Sequence, residues 1–172
     1  MFLTTVHSPI SKTGIRYFST MNTIDTIRHT RQFALQLLND LTLEQLNEVP
    51  TGFNNNIIWN VAHLVAAQQG VCYLRAGRQT RIDEAFYLRF KPGTKPEAII
   101  SAAEVEQIKG LLFSTLDTFE ADYQNGLFAN YNTWTTRYGT TLSNIDEAVQ
   151  FLQFHEGLHT GYIMAQRRLV KQ

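Results

Sequence analysis

Hydrophobic residues recur along much of this chain at intervals of three and four, the spacing that places them on one buried helical face. In the first such segment, the pattern is carried by Ile24, Ile27, Leu35, Leu38 and Leu41. It predicts a helix from about Thr23 to about Asp40. The stretch that follows contains Pro50 and Gly52, which interrupt regular structure.

A second helix is predicted from about Asn56 to Ala76. Asn55 or Asn56 can accept a hydrogen bond from the first free backbone N–H groups of this helix. Gly77 supplies the residue type that commonly ends a helix in the left-handed conformation. This helix carries His63 on its predicted inward stripe.

A long connection precedes the third helix. Residues 77–100 contain three residues that interrupt regular structure: Pro92, Gly93 and Pro96. Ser101 followed by Glu104 is a capping-box pattern, in which each residue satisfies a free backbone N–H of the helix start. The third helix is therefore predicted from Ser101 to about Tyr123.

The last part of the chain predicts a short hairpin and a fourth helix. Residues 124–143 are rich in Asn, Thr and Tyr, and Ser143 or Asn144 then caps a helix that extends almost to the C-terminus. Four amphipathic helices without a central sheet predict an all-α fold, a four-helix bundle. The long crossover between the second and third helices allows them to run parallel, in an up-down-down-up order.

Composition narrows the possible partners. The 172 residues include 15 basic and 15 acidic side chains, so the net charge is zero and neither nucleic acid nor an anionic membrane is favoured as a partner. No apolar run approaches the roughly 18 residues of a transmembrane helix. Cys72 is the single cysteine, which excludes an internal disulfide and favours a cytoplasmic location.

The first twenty residues stand apart from the helical pattern. They carry Lys12 and Arg16 but no acidic residue, and they lack the continuous apolar stretch of a secretory signal. We predict a disordered N-terminal extension over residues 1–20 and a folded domain over 21–172. A presequence, or a translation start at Met21, are the alternatives.

Three of the five histidines occupy predicted core positions. His155 and His159 are four residues apart on the inward stripe of the fourth helix, within reach of a single ion. Each histidine alone is compatible with a hydrogen-bonded core residue. The three together favour one divalent transition metal bound by His63, His155 and His159, with zinc, nickel, copper or iron(II) as candidates.

The remaining candidate residues receive other roles. Cys72 is turned about 180° from His63 around its helix and is excluded as a ligand. His7 and His29 are expected to be exposed or structural. The letters HEGLH match the zinc-protease pattern with Glu156 as base, but no His, Asp or Glu follows His159 to complete it. Glu156 is therefore either an orienting group near the metal or a solvated carboxylate.

Three segments resemble the DinB/YfiT-like superfamily: NNIIWNVAHL, RFKPGTKP and LSNIDEAVQFLQFHEGLHTGYI. The resemblance covers roughly Met21 to the C-terminus. It implies a four-helix bundle, often homodimeric, in which three histidines hold one nickel or zinc ion. Those ligands correspond to His63, His155 and His159. The superfamily includes transferases that use low-molecular-weight thiols such as bacillithiol or mycothiol, and a mycothiol-dependent isomerase.

Two functions follow as hypotheses. The first is an enzyme in which the metal activates a thiol or water for attack on a small molecule, with a thiol-dependent transferase slightly favoured over a hydrolase through the family. Trp59 and Tyr162 would then line the pocket, and loop residues 77–100 and 124–143 would select the substrate. The second is a non-catalytic, dimeric helical bundle in which the buried histidines are structural.

Overall fold

The structure is a computed structural model that describes residues 12–172, with side chains from residue 19 onward. The chain is mostly helical, as predicted for an all-α fold. Its helices are α1 (Lys12–Gln36), α2 (Leu43–Asn47), α3 (Ile57–Gln68), α4 (Glu84–Phe90), α5 (Ala102–Gln124) and α6 (Ile145–Val170). Two short strands, β1 (Trp134–Thr135) and β2 (Thr141–Leu142), form an antiparallel hairpin.

Helix α1 begins earlier than the hydrophobic pattern predicted. It starts at Lys12 rather than near Thr23, so residues 12–20 of the predicted disordered extension are helical. Thr20 is buried, and its hydroxyl donates a 2.7 Å hydrogen bond to Asp146 at the start of α6. This contact with a distant residue is invisible to a local pattern. Residues 1–11 lie outside the described part of the chain.

The predicted second helix is confirmed from its cap to its end. The Asn56 side chain accepts from the backbone N–H of Trp59, and α3 follows. A π-helical turn, Gln69–Tyr73, and a 3-10 turn, Leu74–Ala76, continue α3 to Gly77, whose φ of 67° is left-handed. The π turn was not predicted, because the apolar pattern carries no sign of it.

The caps of the last two long helices are also confirmed. Ser101 and Glu104 form the capping box of α5. Asn144, one of the two predicted candidates, caps α6 by accepting from the backbone N–H of Glu147. The hairpin between these helices pairs Trp134 with Leu142.

Two short helices were missed, α2 in the first connection and α4 in residues 77–100. Each has its own N-cap: Thr42 in a capping box for α2, and Asp83 for α4. Helices of five and seven residues are marginal by themselves and depend on tertiary packing. The connection between α3 and α5 is therefore partly ordered as a helix that packs against α3.

The four long helices pack in pairs. Helix α1 contacts both α5 and α6, and α3 contacts the same two helices. The buried apolar side chains form two clusters, one around Ile58 and Leu64 of α3 and the other around Tyr73, Phe119 and Val149. None of the described helices is long and apolar enough to span a membrane. The up-down-down-up order stays a prediction.

Candidate metal centre

His63 lies in the most deeply buried helix of the protein. All twelve residues of α3 are buried, because this helix is surrounded by α2, α4, α5 and α6. The His63 ring stacks on Trp59, with ring centroids 4.7 Å apart and planes inclined by 11°. Its Nδ1 lies 2.6 Å from the carbonyl oxygen of Phe90, the last residue of α4. Because a carbonyl only accepts, Nδ1 carries the proton and Nε2 keeps its lone pair.

His155 and His159 lie on one side of α6. One helical turn separates them, and their ring centroids are 4.4 Å apart. His155 is buried and His159 is half-buried. The predicted inward orientation of both imidazoles is therefore confirmed.

The packing of α3 against α6 brings the three predicted ligands together. The His63 ring centroid lies 5.2 Å from that of His155 and 4.6 Å from that of His159. One nitrogen of each ring lies within 4.8 Å of the others. Zinc binds imidazole nitrogen at about 2.0–2.1 Å, so two ligands of one ion lie up to about 4.2 Å apart. The present separation of up to 4.8 Å is therefore slightly wider than the span of two ligands on one ion.

Asn60 holds the His159 ring in one orientation. Its Oδ1 lies 2.8 Å from His159 Nδ1. Its Nδ2 donates to Asn55, Asn56 and Gln166, so the orientation of the amide is set and Oδ1 is the acceptor. The proton of His159 therefore lies on Nδ1, and Nε2 is left with a lone pair. Such outer contacts commonly orient metal-bound histidines.

His155 differs from the other two imidazoles because its buried Nδ1 has no hydrogen-bond partner among the described residues. Burial lowers the pKa of His155 well below its usual value, and the neighbouring His159 and His63 lower it further. Burial likewise lowers the pKa of His63, and it is the main reason that the pKa of His159 falls to about 3. All three rings are thus neutral near pH 7, the state in which imidazole binds metal.

A comparison with protein families gives an independent result. The family model described as DinB superfamily matches residues 26–163, well over half of the 172 residues. The chain belongs to the DinB superfamily. The matched segment contains all three clustered histidines and Asn60. A comparison with curated proteins finds no match.

Glu156 is not the solvated carboxylate that was one of its two predicted roles in this DinB-superfamily protein. It is 1% exposed, and its Oε1 accepts from Nε and Nη2 of Arg31 at 3.0 and 2.7 Å. It is therefore neither a solvated carboxylate nor part of the group of potential ligands formed by the histidines. The residue following His155 points away from it, towards α1, as the helical turn of about 100° requires. This geometry also argues against the protease pattern.

The other candidates lie away from the cluster. Cys72 is fully buried in the apolar cluster of Tyr73 and Phe119, which agrees with its exclusion as a ligand. His29 is exposed on α1, as expected. His7 lies outside the described residues.

The two aromatic residues predicted to line a pocket have different environments. Trp59 is buried and contacts the centre through its stack on His63. Tyr162 is 45% exposed, with its ring centroid 6.3 Å from His159 and 5.8 Å from Phe53. Trp59 thus stacks on the His63 ring, whereas Tyr162 lies at the exposed edge of the histidine cluster.

Aromatic rings also connect His155 with the β1–β2 hairpin through successive contacts. The ring of Phe151, one turn before His155, lies 6.1 Å from it and 6.1 Å from the ring of Tyr138. Tyr138, Phe151 and Phe154 also line a cleft of about 360 Å³. The cleft therefore borders the histidine cluster without being lined by it.

Sequence reasoning missed the two groups that orient His63 and His159, the Phe90 carbonyl and Asn60. Asn60 lies three residues before His63, and this spacing was an available signal for a residue near the same face. The Phe90 carbonyl carried no signal, because it depends on α4 and on how α4 packs.

Proposed function

We propose that His63, His155 and His159 hold one divalent transition metal, nickel or zinc, as the centre of a metal-dependent enzyme. The observation that carries this proposal is the close approach of three imidazole nitrogens, within 4.8 Å, on neutral rings. Two of these rings have Nδ1 bound to protein acceptors, which leaves Nε2 as the donor atom. The third has a buried nitrogen without a partner among the described residues. The donor set fits a borderline metal.

Neighbouring residues would orient the metal-binding imidazoles and shield them from water. Phe90 and Asn60 set the tautomers of His63 and His159, and Trp59 covers one face of the His63 ring. When bound, such a metal lowers the pKa of a coordinated water or thiol and so makes it a nucleophile near neutral pH. Three protein ligands are the number typical of catalytic zinc sites, which keep a position for water or substrate.

We further propose that the nucleophile is the thiolate of a low-molecular-weight thiol, with water as the alternative. The support for a thiol is membership of the DinB superfamily, whose members include thiol-dependent transferases. The acceptor would be an electrophilic small molecule. On the same basis we propose a cytoplasmic homodimer built from up-down-down-up four-helix bundles, and the pairwise packing of α1 and α3 against α5 and α6 supports the bundle.

Metal content measured by mass spectrometry tests the centre directly. Protein purified without a His-tag is compared with His159→Ala and with His29→Ala, which removes an exposed histidine as a matched control. About one equivalent of nickel or zinc is expected in the wild type and His29→Ala, and a large loss is expected in His159→Ala. Absence of metal in all three proteins, after incubation with nickel, zinc and iron(II), would sink the proposal.

A non-catalytic bundle is the competing function. The hydrogen bonds of His63 and His159 to protein acceptors are what structural histidines also make. A panel of electrophiles and esters, assayed with and without added thiols on metal-loaded protein, separates the two. Thiol-dependent turnover favours the transferase, thiol-independent turnover the hydrolase, and no metal-dependent turnover the structural role.

A further inference from the structure

The turn of the β1–β2 hairpin contains a positively charged residue, Arg137, on the side of the molecule where aromatic rings contact the histidine cluster. Backbone hydrogen bonds from Thr136 to Thr140 and from Gly139 to Thr136 close the turn, and Gly139 has a left-handed φ of 82°. Arg137 and Tyr138 lie inside this turn. The Arg137 guanidinium lies over the Tyr138 ring, 5.1 Å from its centroid, and Nη2 donates to the Tyr138 hydroxyl at 3.1 Å. The short turn thus holds the arginine head group against one ring.

Successive ring contacts fix the hairpin tip beside the histidines. Tyr138 contacts Phe151, and Phe151 contacts His155, with centroid distances of 6.1 Å in both cases. Trp134 at the base of the hairpin also contacts Phe151, at 6.4 Å.

Arg137 has no counterion among the described residues, a property that it shares with Arg75, Arg78 and Arg168. Four exposed or half-buried arginines form ion pairs with carboxylates: Arg28, Arg81, Arg89 and Arg167. Within residues 19–172, Arg137 makes no such pair, and its described polar contact is the Tyr138 hydroxyl. An exposed guanidinium has five donors in a planar fork, so most of them remain open to a ligand.

We propose that Arg137 binds the anionic group of a small organic substrate at the mouth of the histidine centre. This inference rests on the proposed function, because it names the substrate class of the same site. A carboxylate is one of the groups that the guanidinium fork can bind through two parallel hydrogen bonds, and it is the group tested below. The apolar part of the substrate would lie against Tyr138 and Phe151, whose rings connect the arginine to His155.

The neighbouring cleft is not the place for the anion. It is lined by the Glu147 carboxylate, and Arg137 does not line it. Glu147 accepts from the backbone N–H of Ser143 at the start of α6, which keeps that carboxylate in place. A negative group in the cleft would face this charge.

Calorimetric titration with a matched pair of probes tests the inference. The probes are 3-phenylpropanoate and its neutral counterpart 3-phenylpropanamide, added to metal-loaded protein whose metal content is measured in the same sample. Wild type is expected to bind the carboxylate about tenfold more tightly than the amide, as one charge-assisted contact provides. Arg137→Met is expected to remove this preference, and Arg137→Lys to keep part of it.

Arg75→Met provides the matched control. Arg75 is also exposed and also lies over an aromatic ring, 4.2 Å from the centroid of Trp134, so its removal costs the same charge and the same kind of contact. It is expected to leave the carboxylate preference unchanged. All variants are expected to hold as much metal as the wild type.

The outcomes separate the inference from the proposed function. A carboxylate preference that persists in Arg137→Met overturns the anion site, even if the metal centre is intact, as does its absence in metal-loaded wild type. An Arg137-dependent preference in protein that holds no metal supports the anion site and counts against the metal centre.

Discussion

His155 and Glu156 are neighbours in α6, but they belong to two different buried polar groups. The two groups differ in how their polar atoms are paired. Glu156 faces Arg31, which is fully buried. The five N–H donors of Arg31 make five hydrogen bonds, two to Glu156 and one each to Gln68, Leu112 and Leu64. His155 faces two other imidazoles, and its Nδ1 has no partner among the described residues. The first group uses every N–H donor of Arg31, although Glu156 Oε2 has no hydrogen-bond partner among the described residues. The second group keeps an unpartnered nitrogen on His155.

The difference indicates what each group contributes. The Arg31 group joins α1, α3, α5 and α6 through contacts that use every donor of the guanidinium. It stabilises one packing of the helices and has no donor left for a ligand. The imidazoles of the histidine group have nitrogen lone pairs that accept no hydrogen bond from the described residues. These lone pairs are therefore available to bind a metal ion. Three predictions test the contrast, in order of expected effect, and a fourth, smaller one concerns a surface ion pair.

The largest effect is expected from breaking the buried ion pair. Glu156→Gln leaves the Arg31 charge buried without a counterion, which should destabilise the protein by about 3–5 kcal/mol. Urea unfolding measures the loss. The double variant Arg31→Met with Glu156→Leu removes both charges and should be less destabilised than Glu156→Gln. Arg28→Met, which breaks partly exposed ion pairs, should cost about 0–1 kcal/mol. If the double variant is as unstable as Glu156→Gln, the loss of stability does not arise from the unpaired charge of Arg31.

The next effect is the stabilisation that metal provides. His155→Leu removes the unpartnered nitrogen at similar volume, so metal-free protein should change by less than about 1.5 kcal/mol. Metal at about 100 times its Kd should stabilise wild type by about 2.7 kcal/mol. It should leave His155→Leu unchanged. Urea unfolding after chelation, with and without nickel or zinc, gives both values. Equal stabilisation of the two proteins would place the metal elsewhere.

A smaller effect is expected from the residue that orients His159. Asn60→Leu removes the acceptor of the Nδ1 proton and should weaken metal binding by about 10–100-fold in chelator competition. Gln166→Leu breaks the same buried network without touching a histidine, so it controls for lost stability. Its metal affinity should fall less. Equal losses in the two variants would show that Asn60 acts through stability alone.

The smallest effect concerns a surface carboxylate and its pH dependence. Hydrogen bonds from Lys171 and Arg167 lower the pKa of Asp40 from 3.8 to about 2. Because the folded pKa lies below the unfolded value, this stabilisation is present above pH 3.8 and is lost as the pH falls towards 2. Asp40→Asn should therefore lower the melting temperature at neutral pH but not near pH 2. An equal lowering of the melting temperature at both pH values would contradict this prediction.

Local sequence patterns predicted those helices that combine an N-capping residue with a long apolar face. The Ser101–Glu104 box and the Asn144 cap hold in the structure because each uses atoms within four residues. Helices α2 and α4 were missed because they are too short for an apolar period to be counted. The early start of α1 was missed because Thr20 finds its partner 126 residues away.

The amino-acid pattern alone was enough to indicate which three imidazoles could meet. The spacing of His155 and His159 is local, and the apolar stripes place the imidazoles on the inward sides of their helices. How those rings are held, and what their neighbours do, depends on tertiary packing. The Phe90 carbonyl reaches His63 through α4, and Glu156 meets Arg31 across 125 residues. Helical periodicity says which side of a helix is buried, whereas the partner on that side depends on the packing of distant segments.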